Sequence, residues 1–234
     1  MARYKSTDPI VELAALGRKG PDLLVEDCRK LIWLAQTVFE RLMEDAGHDV
    51  RQITRLTTKL RDAGRRSPPW KPVSSRVPGR PQDGADGNRT LRWKLGSDHK
   101  FYAHETDATL VEVKYYLQAL SMEGAPAFDA GDVQDAFQWL LGHRLVPGVY
   151  QDPIQLIPIN IHDVVENARL IQSGHLVPLD RGGRHVPNNA FLMLARSNQL
   201  QGNLTVKELL DLMRSIVTKH DDPTVFPAID DALR

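Results

Sequence analysis

At 234 residues, 41% hydrophobic and 26% charged, the chain has the composition of a soluble globular protein, and it has no apolar run near the roughly 20 residues that cross a bilayer. Thirty Lys and Arg balance thirty Asp and Glu, so net charge argues for no polyanionic partner. One cysteine, Cys28, excludes an internal disulfide and paired-cysteine zinc knuckles, and a start without an apolar signal core predicts a cytoplasmic protein.

In chain order, the apolar positions Leu24, Cys28, Leu31, Ala35, Val38 and Leu42 recur in steps of four and three, predicting a helix between Pro21 and Ala46. Gly47, His48 and Asp49 interrupt it. Val50, Ile53, Leu56 and Leu60 then predict a second helix, ended by Gly64. The expected unit is a helical hairpin over 1–64, whose thin apolar seam must pack on the rest of the chain or on a second copy.

The charge is unevenly spread: from Arg65 to Ser97 eight basic residues face two acidic ones, Asp83 and Asp86, a local +6 that leaves −6 for the remainder. Residues 65–90 also hold five prolines and three glycines, so 65–97 is expected to be an irregular basic linker. Such a strip, with Trp70 in it, either lies along phosphates or serves as a tether. Arg65, Arg66, Lys71, Arg76 and Arg80 are its candidate DNA contacts.

Residues 98–234 form the third expected part. Thr90 to Ala103 reads as extended, anchored by Trp93 and Phe101, and Thr106 or Asp107 can cap a helix running to about Met122. Asp107, Glu112 and Lys114 imitate the acid and ExK of a magnesium-dependent restriction-nuclease fold. The pattern Val111, Tyr115, Leu117, Leu120 instead favours a helix with Glu112 and Lys114 on its surface. A further helix is expected from Asp129 to Leu141, ended by Gly142, before a proline-punctuated packed loop. Arg169 to Leu179 reads as a strand and turn, Arg181, Gly182 and Gly183 as a loop, and Ala190 to Leu194 as a second strand. A short helix through Arg196 to Gln201 is stopped by Gly202, and Thr205 with Glu208 makes a capping box for a helix to about Thr218. The fold class is therefore α+β, with a strand, loop, strand, helix finger at 169–210.

That finger resembles the HNH, or ββα-metal, endonucleases. His175 opens its loop, Asn189 follows fourteen residues later and Asn198 nine further on, with Gly182, Gly183 and a QGN run where the family often has GG and KGN. The resemblance implies a metal-dependent DNA endonuclease, of the type II restriction kind or else a homing or phage nuclease, or an inactive DNA-binding module that keeps the finger. It implies that His175 is the general base, that Asn198 offers an oxygen to Mg²⁺ or Mn²⁺, and that Asn189 ties the loop. The family commonly places an Asp immediately before the His as a second metal ligand. Gly174 stands there instead, so Asp163, Glu166 and Asp180 are the nearby candidates for that ligand, and His185 for a ligand or phosphate contact. Arg181, Arg184 and Arg196 join the expected contacts to double-stranded DNA, and cutting both strands suggests a homodimer.

Overall fold

The computed structural model describes residues 8–68, 89–127 and 131–221. The elements are α1 (Pro9–Gly17), α2 (Val25–Asp45), α3 (Val50–Arg65), α4 (Glu105–Ala119), α5 (Gly131–Ala136), α6 (Gln138–Leu141), α7 (Ile161–Glu166), β1 (Ile171–His175), β2 (Ala190–Leu194), α8 (Ala195–Gln201) and α9 (Val206–His220). This is an α+β chain whose described sheet is the antiparallel pair β1–β2, in register from Ile171 opposite Leu194 to His175 opposite Ala190. Among the described residues no helix is long and apolar enough to cross a membrane.

Helix α4 is the axis. From Ala108 onward nearly every side chain is buried, because α2 and α3 lie along it and β2 and α6 cover other faces. A helix enclosed on all sides has no polar face to solvate. This corrects the surface placement of Glu112 and Lys114, which are 0% and 2% exposed. Each buried charge has a local remedy: Glu112 takes the Arg65 guanidinium, while Lys114 donates to the Pro187 carbonyl at 2.6 Å and lies 3.4 Å over the Phe191 ring. Burial still pushes the Glu112 carboxyl up to about 7 and the Lys114 amine down to about 7.

The α2–α3 hairpin packs on α4, and one hydrophobic core runs from Leu13 of α1 through Leu31, Leu56 and Tyr116 to Leu192 of β2. Asp49 caps α3 through the amides of Arg51 and Gln52. Gly64 does not end α3; it lies inside the last turn, where a Cβ would come within 2.5 Å of the Glu112 Cβ. Its missing side chain sets how closely α3 crosses α4.

Three further expectations are corrected. Thr90 to Ala103 is not extended: Leu91 bridges Arg66, a 3₁₀ turn covers Arg92–Lys94, and Arg92 is buried while Trp93 and Phe101 stay half-buried. The cap of α4 is His104, not Thr106 or Asp107. The helix expected over 129–141 is broken at Phe137, whose φ of −116° and ψ of 11° separate α5 from α6. By contrast the Thr205–Glu208 capping box starts α9 as expected, and Gly202 terminates α8.

Candidate active site

Strand β1 ends on His175, and its alternation sorts the neighbours. Gln172 and Gly174 share one face with Asn198 and Met193, while Ser173 and His175 share the other, meeting Tyr115 and His185. Asn189 immediately precedes β2 and fastens the intervening loop with three bonds: it accepts from the Val177 amide at 2.8 Å and donates to the carbonyls of Val177 and Arg184, both at 2.9 Å. Lys114 holds the same loop from below through Pro187. Gln201 of α8 donates to the His175 carbonyl at 2.7 Å, tying the helix to the strand end. Asp152, fully buried, accepts from the Leu194 amide and the Ser197 hydroxyl and so fixes the turn from β2 into α8.

The hydrogen-bond network assigns the His175 tautomer. The Gly64 carbonyl can only accept, so His185 must donate to it from Nε2, at 2.7 Å. A neutral His185 then offers Nδ1 as an acceptor, and His175 Nε2–H donates to it at 2.9 Å. His175 Nδ1 is left with its lone pair. Burial, reinforced by the Arg92 charge, pulls the His175 pKa down to about 4, and His185 is driven well below its ordinary value chiefly by burial. Both rings are neutral near pH 7.

His175 lines a cleft of about 700 Å³ with Gln172, Ser173, Arg55, Lys59, Asp62, Arg66, Arg89 and Arg92 among its walls. Among the described residues, five cations against the single carboxylate of Asp62 leave a formal +4. The sequence marked Arg66 but missed the others; the apolar stripe of α3, which sets Arg55 and Lys59 one helical turn apart on its polar side, was the available signal.

The other expected residues scatter. Arg65 is spent on Glu112, and Arg181 on Glu208 at 2.9 Å. Arg184 and Arg196 are exposed. Lys71, Arg76 and Arg80 lie outside the described residues. Asp163 and Glu166 are exposed on α7, and Asp180 pairs with Lys100 at 2.6 Å. The described residues do not fit a divalent metal. No three of their His, Cys, Asp or Glu side chains gather to hold one. Asn198 gives its amide to Gln172 Oε1 at 2.6 Å, so two neutral amides face each other where a hard dication wants anionic oxygen. At Gly174 a Cβ would meet Met193 Cε at 2.2 Å and Sδ at 2.4 Å, so a thioether fills the place of the family's carboxylate.

No protein-family model matches the sequence, and no relative among curated proteins does. Among solved structures the chain is similar to a type II restriction endonuclease. Identity is 21% and the TM-score 0.42, over 51% of this chain and 53% of that one. The chain thus spans about half of that nuclease, and the functional reading rests on the residues above.

Proposed function

We propose that this protein is a DNA phosphodiester hydrolase, an endonuclease of the restriction kind, with His175 as its general base. The observation that carries the reading is a neutral histidine, held in one tautomer at the end of a β-hairpin, on the wall of a cleft with five cations. Phosphodiester hydrolysis needs a proton acceptor for the attacking water and positive charge around the phosphoryl oxygens. His175 Nδ1 supplies the first and the cleft supplies the second. A bound phosphate would also offset the Arg92 field and lift the His175 pKa from about 4 toward the range where proton transfer is effective. Asn189 fastens the loop after His175 through its bonds to Val177 and Arg184.

A second reading, a DNA-binding module that has lost hydrolysis, is favoured by Gly174 and Met193 standing where the family's carboxylate would be. Incubation with plasmid DNA in Mg²⁺, Mn²⁺ or EDTA separates the two. Discrete fragments indicate a restriction enzyme, and retarded but uncut DNA indicates the binding module. His175→Ala is expected to bind DNA and to lose about 10² to 10⁴-fold in cleavage rate. Cleavage by that variant at the native rate would remove His175 from the mechanism.

A further inference from the structure

Arg92 is an unusual charge. It is 2% exposed, yet no carboxylate pairs with it among the described residues; Nε donates to the Gly64 carbonyl at 3.2 Å and Nη1 to the Phe101 carbonyl at 3.3 Å. Nη2 has no hydrogen-bond partner among those residues, and Arg92 is on the cleft wall beside His175. An uncompensated guanidinium at this depth is costly, and two carbonyl dipoles do not neutralise it. Asp62, the one acid in the cleft, is divided among Arg61, Arg66 and Arg89. Among the described residues Lys59 likewise has no acid, donating to the Ala168 carbonyl, and Arg55 reaches the rim exposed.

We infer that this cleft is a phosphate site in which Arg92, with Lys59 and Arg55, faces the anionic oxygens of the scissile phosphodiester and supplies the positive charge that a metal supplies elsewhere. The inference rests on the hydrolase reading and adds to it that the phosphate is held without a divalent ion. A planar guanidinium presents two donors to two phosphoryl oxygens, a geometry an amine does not reproduce, so Arg92 should not be replaceable by lysine. Arg92 and Lys59 are already held by backbone carbonyls before the ligand arrives.

The test is fluorescence anisotropy with a short labelled duplex, in EDTA and in Mg²⁺, with cleavage followed in parallel on the same samples. Binding is expected to be unchanged by EDTA. Arg55→Gln with Lys59→Gln should weaken it at least tenfold while circular dichroism still reports a folded protein; the half-buried Lys59 also holds the Ala168 carbonyl, so a small drop in melting temperature is expected with it. Arg92→Lys should weaken it similarly, and inorganic phosphate should compete with the duplex for the wild type only. Binding that requires Mg²⁺, or folded Arg55/Lys59 variants that bind as the wild type does, would overturn the inference. Metal-free binding lost in those variants, with no cleavage in any buffer, would uphold the phosphate site and remove the hydrolase reading. Cleavage and binding only with Mg²⁺ would do the reverse.

Discussion

Replacing Asn189 with Ala removes three hydrogen bonds from one loop at a single stroke. Two carbonyls, of Val177 and Arg184, and one amide, of Val177, lose their partner. Each such bond contributes about 1 kcal/mol net, which sets a ceiling near three times that. Val177 and Arg184 are exposed, so water re-solvates part of the freed backbone and the expected loss is about 2 kcal/mol. The hairpin itself should stay paired, because the Leu176 amide still donates to the Asn189 carbonyl at 3.0 Å and Gly183 to Pro178 at 3.0 Å. The damage is therefore local. Urea denaturation should report the loss in stability, and amide hydrogen exchange should show Val177 exposed well before the strands open. Asn189→Asp gives a sharper contrast: it keeps the acceptor for Val177 N–H but sets a carboxylate against two carbonyl oxygens, so it should be worse than Ala. An Ala variant within about 0.5 kcal/mol of wild type with unchanged Val177 exchange, or an Asp variant more stable than Ala, would refute the role given to this side chain.

Gly64→Ala drives a methyl to 2.5 Å from the Glu112 Cβ and 2.7 Å from its Cα, so α3 and α4 must separate; a loss of about 3 kcal/mol or more is expected, and a melting temperature equal to wild type would contradict the packing. For His175, the unfolded chain takes a proton near pH 6.5 that the folded ring refuses until about 4, so its contribution is whole above 6.5 and disappears as pH falls through that window, up to about 3 kcal/mol. Glu112, raised to about 7, works in the opposite sense and is lost as pH rises, so the measurement is the stability difference between wild type and His175→Gln at pH 7 and pH 4.5; a difference that does not shrink at the lower pH would mean the ring is not buried neutral.

Periodicity and turn signals made α2, α3 and the two strands legible, local side-chain chemistry did the same for the Thr205–Glu208 cap, and the loop-tying part expected of Asn189 came from the family resemblance. These are short-range signals. Arg92, Glu112 and Lys114 were not legible because a charge in a sequence looks solvated until the elements that cover it are in place. Lys114 illustrates this: its partners, Pro187 and Phe191, lie more than seventy residues away. His185 was visible as a histidine in a loop near His175, but its orienting acceptor is the carbonyl of Gly64, 121 residues distant. Gly174 stands where the HNH resemblance expects a carboxylate; Asp163, Glu166 and Asp180 do not approach the place, and Met193 across the hairpin fills it.

The carbonyl of Gly64 receives both His185 and Arg92, the ring that orients His175 and the guanidinium on the cleft wall. It lies in the last turn of α3, where carbonyls lack helical partners and carry the negative end of the helix dipole. A two-stranded hairpin has little stability alone, and here it also borrows an acceptor from a helix more than a hundred residues earlier. The finger is consequently not a transplantable cassette. Moved to another scaffold it would arrive with its histidine pair unfastened, and a residue inserted into α3 between Asp49 and Gly64 would turn that oxygen by about 100° around the helix. The N-terminal helices and the β1–β2–α8 finger can then be inherited, exchanged or engineered only as one piece.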